Sequence, residues 1–226
     1  MWRHDAERSA AMADGLPEVL YLSWWRDYPA PAPAWPEDPR LIFDATYEPI
    51  VIGDTMVVSL GLAESVVALD TQTGLEKWRF FAEGPVRFAP VAAQGRLYFG
   101  ADDGYFYCLD VADGRLIWKL RAAPSPRKVL GNDRLTSVWP IRGGPVLAGG
   151  KVHFTAGVWP FEGNFLYSID INNSEHSPRY TTTTLTGVVP QGYLAQSDTT
   201  VLIPGGRAPV TAHDLKQDET TQLKYS

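Results

Sequence analysis

Gly95-Arg-Leu-Tyr-Phe-Gly-Ala-Asp-Asp-Gly-Tyr-Phe-Tyr-Cys-Leu-Asp-Val-Ala-Asp-Gly-Arg-Leu-Ile-Trp118 is the stretch whose reading decides the fold. Leu97 to Phe99 is a short apolar strand, and Asp103-Gly104 supplies the turn chemistry that a tight hairpin demands. Tyr105 to Leu109 is a second strand, Asp113-Gly114 turns again, and Leu116 to Trp118 opens a third. Cys108 sits inside an apolar strand and reads as a small core residue.

Working outward, the same pattern returns. Pro49-Ile-Val-Ile-Gly53, Pro90-Val-Ala-Ala-Gln-Gly95 and Pro145-Val-Leu-Ala-Gly149 each end a first strand in a turn. Apolar second strands follow at Met56-Val-Val, Leu97-Tyr-Phe, Val152-His-Phe and Val201-Leu-Ile. Third strands end at Asp70, Asp110, Asp170 and Asp214, spaced by 40, 60 and 44 residues. Four short strands every ~40–45 residues predict β-propeller blades. The excess of the long interval lies in two insertions, 121–143 and 157–163.

Ala68-x-Asp70-x-x-Thr73-Gly74-x-x-x-Trp78 resembles the tryptophan-docking repeat of pyrroloquinoline-quinone (PQQ)-type propellers, and Cys108-x-Asp110-x-x-Asp113-Gly114-x-x-x-Trp118 resembles it equally. The opening Trp2-Arg-His-Asp-x-x-Arg8-Ser-Ala is similar to the segment that often precedes such propellers. The later copies depart from the pattern: Asp170 is followed by Asn173-Ser174, Asp214 by Gln217-Asp218, and neither has the tryptophan. In the repeat, Gly74 and Gly114 permit positive φ, and Trp78 and Trp118 each offer the next blade a flat apolar surface. Burial of one such ring contributes about 2–3 kcal/mol.

The fold expected is therefore all-β. Four-stranded antiparallel blades cover about 47–82, 86–121, 142–181 and 190–226, behind an N-terminal arm, 1–46. Four blades make a partial or open ring, with further blades or a second chain needed to close it. In the arm, residues 3–14 predict a short helix stopped by Gly15 and Pro17. Glu18 to Arg26 predicts a strand resembling the outer, Trp-bearing strand of a blade. The Pro/Ala run from Tyr28 to Pro36 predicts a surface spacer or linker. Thr221 to Tyr225 is expected as the outer strand of the fourth blade.

Composition narrows the function. Twenty Lys plus Arg against 26 Asp plus Glu give a net charge of −6, which argues against nucleic acid and anionic membranes as partners. No stretch approaches the ~20 apolar residues of a membrane span. Cys108 is the single cysteine, so no disulfide forms within the chain. No signal peptide is visible, and a periplasmic location is implied by the resemblance alone. No nucleophile elbow, metalloprotease helix or phosphate loop occurs. The four histidines lack metal-ligand spacing, His153 reads as a core or channel histidine, and Asp102-Asp103-Gly104 reads as a hairpin turn without a calcium-loop ligand series.

Propeller geometry sets both insertions on one face, opposite the minimal turns Gly53-Asp54 and Asp113-Gly114, and long loops on a rigid scaffold are where binding is built. The same register aims Glu48, Arg87, Arg142 and Gln191 at the channel mouth on that face. They form either a site for an anionic or polar ligand, anchored by two arginines, or channel-lining ion pairs between Glu48 and an arginine. The leading expectation is a non-catalytic scaffold that binds a protein or small polar ligand through the long-loop face, without cofactor or metal. The alternative implied by the resemblance is a quinoprotein dehydrogenase, or a fragment of one, using PQQ with calcium.

Overall fold

The computed structural model describes residues 1–13, 15–131, 134–173 and 177–223. The first blade is β1 (Ile50–Ile52), β2 (Thr55–Leu60), β3 (Ser65–Asp70) and β4 (Glu76–Phe81), hydrogen-bonded in chain order. The second is β5 (Val91–Ala93), β6 (Arg96–Gly100), β7 (Tyr105–Asp110) and β8 (Leu116–Arg121). A separate hairpin follows, β9 (Lys128–Gly131) with β10 (Arg134–Ser137), inside the first predicted insertion. The third blade is β11 (Ile141–Ala148), β12 (Lys151–Ala156), β13 (Phe165–Asp170) and β14 (Arg179–Thr184), and β15 (Gly192–Tyr193) adds to β11 in parallel. The fourth is β16 (Ala195–Ser197), β17 (Thr200–Gly205), β18 (Ala208–Asp214) and β19 (Glu219–Gln222). Among the described residues no strand ladder joins the fourth sheet to the first.

Burial follows the stacking of blades. Val66 to Leu69 in β3 are buried on both faces, because a neighbour covers each side of an inner strand, whereas β4 buries only Trp78. Val57, Val66 and Trp78 meet Leu97, Phe99 and Leu109 of the second blade. Tyr98, Phe106 and Trp118 meet Val152, Phe154 and Ile169 of the third. Val146 and Leu166 meet Val201 and Ile203 of the fourth. Cys108 and His153 belong to this core. Burial pushes the Cys108 thiol up to about 12, and it holds His153, whose Nδ1 lies 2.7 Å from Ser168 Oγ, down to about 4.

The repeat motif acts as its residue types demand. Asp70 Oδ1 accepts from the Thr73 amide at 2.8 Å, and Gly74, at φ +68°, donates its amide to Asp70 O. Trp78 reaches the next blade, where its ring lies against Gly114 and its Nε1 donates to Val111 O at 2.9 Å. The fourth blade keeps the turn without glycine. Asp218 adopts φ +56° and donates to Asp214 O, while Asp214 Oδ1 caps the amides of Lys216 and Gln217. The third-copy turn at Ser174 lies outside the described residues, as do the end of the predicted strand 221–225 and His176.

The arm departs from expectation in three ways. Residues 3–13 form turns, not a helix, with Arg3, His4, Arg8 and Ala10 all at positive φ. Arg8 ties this segment to distant carbonyls at Leu194 and Pro145 instead of to its own helical turns. The 18–26 segment pairs with no strand, yet it does supply a docking tryptophan. Trp24 lies against Gly74 and donates Nε1 to Thr71 O at 2.8 Å, so Trp24, Tyr28 and Tyr47 cover the outer flank of the first blade at Val58, Leu60, Val67 and Leu69. The Pro/Ala run is no free linker: Ala34 is buried, and its amide donates to Asp44.

Candidate functional site

Three segments converge on one carboxylate. The β6–β7 hairpin carries Asp102, the crossing between β4 and β5 carries Arg87, and Arg142 is the second residue of β11. Asp102 is fully buried. It accepts from Arg87 Nε at 2.6 Å, from Arg142 Nε at 2.8 Å and from Arg142 Nη2 at 2.9 Å. Arg87 Nη1 also donates to Asp44 Oδ2 at 2.6 Å and to Ala32 O at 2.9 Å, both from the arm. Neither arginine is matched by Glu48, so the predicted Glu48–arginine pair is replaced by Asp102 and Asp44.

The two arginines are not equally compensated. Burial pulls Arg87 down, but Asp102 and Asp44 more than offset it, and its guanidinium is held above its ordinary value. Arg142 shares Asp102 with Arg87 and, among the described residues, hydrogen-bonds no second carboxylate; burial, with Arg87 nearby, outweighs Asp102 and Asp44, and its affinity for protons is lowered. Arg142 Nη1 is buried without a hydrogen-bond partner among the described residues. A desolvated guanidinium nitrogen left unpaired is costly, more so than a neutral donor.

The remaining predicted residues lie to either side. Gln191 Oε1 accepts from Trp35 Nε1 at 2.8 Å, and the Trp35 ring centre is 6.0 Å from the Arg142 guanidinium. Glu48 accepts from the Tyr193 hydroxyl, which itself accepts from the Ala89 amide. Burial raises Glu48 to about 8, despite Arg3 and Arg8 nearby. Arg87, Arg142 and Gln191 are thus brought together with Trp35, while Glu48 belongs to an aromatic cluster in which Trp2 stacks on Tyr193.

Asp102, Asp44 and Trp35 were missed by sequence reasoning. The one signal for Asp102 was the Asp102-Asp103 doublet directly after an apolar strand, one acid more than a hairpin turn needs. Asp103 serves that turn, capping the amides of Tyr105 and Glu83.

Beside this network, on the side of the insertions, two neighbouring hollows open. An inner recess of about 80 Å³ is walled by Trp35, Arg87, Ser137, Arg142 and Trp159. An outer groove of about 440 Å³ runs between the β9–β10 hairpin and the 157–163 loop, along Val129, Leu130, Val138, Trp159 and Phe161, with Arg127 and Glu162 paired at its rim. The hollows share Val129, Leu130 and Trp159. Leu130 is 77% and Phe161 82% exposed.

Comparisons with known proteins agree with the repeat. Over 126 residues the chain is 26% identical to a polyvinylalcohol dehydrogenase of Pseudomonas sp, which spans half of this chain and one fifth of that one. The solved structure of BamB from Moraxella catarrhalis superposes with a TM-score of 0.56 at 18% identity, over 76% of this chain and 46% of that one. A quinohemoprotein alcohol dehydrogenase from Comamonas testosteroni gives 0.58 at 16% identity, over 76% and 33%. At these identities the structural likenesses carry the fold alone, and the chain spans less than half the length of each relative. The family model described as "Outer membrane protein assembly factor BamB" matches residues 1–152, and the chain belongs to this PQQ-like repeat family of β-propellers.

Proposed function

We propose that this chain is a non-catalytic propeller scaffold that binds a protein partner on its long-loop face, in the bacterial envelope. The observation that carries this reading is the apolar groove between the β9–β10 hairpin and the 157–163 loop. Leu130, Leu135 and Phe161 each leave most of their surface in water, although a soluble monomer gains nothing from a contiguous apolar patch. Both walls are insertions into the repeat, and Leu130, Leu135 and Phe161 belong to none of the buried clusters between the blades. The BamB likeness supports an envelope scaffold, and no helix of the described residues is long and apolar enough to cross a membrane.

A dehydrogenase is supported by the polyvinylalcohol dehydrogenase relative. Glu48, Arg87, Arg142 and Gln191 fit a calcium-bound quinone poorly. The arm covers them with Trp35, Phe43 and Asp44, the two arginines are engaged with Asp102 and Asp44, and no cluster of three metal-ligating side chains occurs among the described residues.

The scaffold reading is tested with the double variant Leu130→Ser/Phe161→Ser. Its circular dichroism and melting should match wild type, because both side chains are exposed, while its complex in gently lysed cells should shrink to the size of the free chain. An unchanged complex would remove the groove from the binding face.

A further inference from the structure

We propose that the outer edge of β9 is where the long-loop face takes hold of its partner, which adds an extended strand with alternating apolar side chains to the β9–β10 hairpin. This rests on the protein-binding reading of that face and specifies the segment it receives.

The hairpin is braced on one side only. On the β10 side the Ser137 amide donates to Asp102 O of the second blade at 2.8 Å, and Arg134 Nη1 lies 2.8 Å from Glu64 of the first. β9 pairs with β10 and with no other strand of the described residues. The Val138 amide donates to Arg127 O at 3.1 Å, and in this register Lys128 faces Ser137 while Leu130 faces Leu135. Antiparallel pairing alternates bonded and open positions, so Arg127, Val129 and Gly131 turn their main-chain groups towards β10. Lys128 and Leu130 turn their N–H and C=O groups outwards, and both residues are exposed. Such a row is a template for another strand.

The apolar groove lies against this same edge. Val129 and Leu130 both line it, although neighbouring side chains of a strand point to opposite faces. A hollow that meets both therefore meets β9 edge-on. Opposite stand Trp159 and Phe161, stacked with ring centres 6.1 Å apart. A segment in the groove is thus offered hydrogen bonds on one flank and aromatic rings on the other. An extended strand answers both, since its main chain bonds along an edge while alternate side chains fill apolar positions. A helix answers only the rings, because its own turns consume its main-chain groups. A two-stranded hairpin is marginal by itself, and a third strand gives the outward groups of β9 their partners.

The test uses the full chain and a fluorescein-labelled, amidated peptide, Thr-Val-Thr-Ile-Thr-Val-Thr, read by polarisation. Alternate N–H groups of an extended strand point to opposite edges, so two N-methylated forms are compared, one blocked at its apolar residues and the other at its threonines. One form should bind at least about tenfold more weakly than the parent, and the other within about threefold of it. Lys128→Pro removes an outward N–H at an edge position that tolerates proline. It should weaken the parent peptide by at least about tenfold, while Lys128→Ala, which keeps that N–H, stays within about twofold of wild type. The methylated peptides decide the matter if Lys128→Pro melts early. Equal weakening by both methylated forms, no weakening by either, equal losses in the two Lys128 variants, or no binding up to about 1 mM would each overturn the proposal. If both methylated forms bind like the parent while Leu130→Ser/Phe161→Ser weakens it, strand addition fails and the groove stands. If that double variant leaves the cellular complex unchanged, the long-loop face itself fails.

Discussion

Trp24, from the arm, lies against Gly74 in the way that Trp78, from the first blade, lies against Gly114. A Cβ built on Gly74 would stand 2.6 Å from Trp24 Cδ2, and one on Gly114 would stand 2.6 Å from Trp78 Cδ2. The two indoles donate to carbonyls at equivalent turn positions, Thr71 and Val111. One contact is made by the arm and the other by a blade, so the same geometry is held with different firmness. Trp78 is 9% exposed and bridges two blades, whereas Trp24 belongs to a segment without strand partners.

Gly114→Ala is therefore expected to cost about 3–4 kcal/mol, because the methyl group displaces a ring buried between blades and alanine is strained at φ +72°. Gly74→Ala should cost about 1–2 kcal/mol, since the arm can lift away and leave mainly the backbone strain. Urea midpoints measure both. Equal losses would mean that the arm is as integral as a blade.

Asp102→Ala leaves two buried guanidinium groups short of their shared countercharge, and a loss of about 3–5 kcal/mol is expected. Arg115→Ala, whose side chain is 65% exposed beside Asp110 and Asp113, should change stability by no more than about 0.5 kcal/mol. Chemical denaturation of the two variants side by side checks the contrast. A mild Asp102 effect would mean that water reaches the network.

The pH dependence of melting separates two buried groups. Glu48, raised by burial to about 8 from 4.5, is protonated in the fold while its unfolded counterpart is ionised. The native state then holds more protons, so stability falls as pH rises between those values. His153, lowered by burial to about 4 from 6.5, has the opposite sign: stability falls as pH drops from 6.5 towards 4. His213 is lowered as well and adds to that acid-side loss. Between pH 6.5 and 8 only the Glu48 slope remains of these three. The Met1 amine, lowered from 8.0 chiefly by burial, contributes a slope of the opposite sign in the same window. Melting temperature should therefore change less favourably with rising pH in wild type than in Glu48→Gln, the difference between the two being the Glu48 contribution. A slope unchanged by the substitution would assign it elsewhere.

Much of the fold was legible because the repeat is written in local chemistry. Asp70, Gly74 and Trp78 act within eight residues of one another, and Asp110, Gly114 and Trp118 repeat the same spacing, so periodicity alone reveals the blades. The arm was less legible. Residues 3–13 have helical propensity, yet Arg8 reaches carbonyls at Leu194 and Pro145, and such long-range ties leave no trace in a local pattern. The site was half legible. Arg87 and Arg142 stood out as cations beside inner strands, but their partners come from a hairpin that reads as a plain turn and from an arm that reads as a spacer. Asp218 at φ +56° shows the converse, a turn kept where its glycine is lost.

The most direct test of the central claim places a photo-crosslinking residue at Phe161 or Leu130 on the long-loop face, and at Asp54 or Asp113 in the short turns opposite. Irradiation in cells should give a discrete protein adduct from positions 161 and 130, lost when the other groove residue is changed to serine, and none from 54 or 113. Adducts from the short-turn face alone, or from both faces alike, would contradict a partner held in the groove between the two insertions.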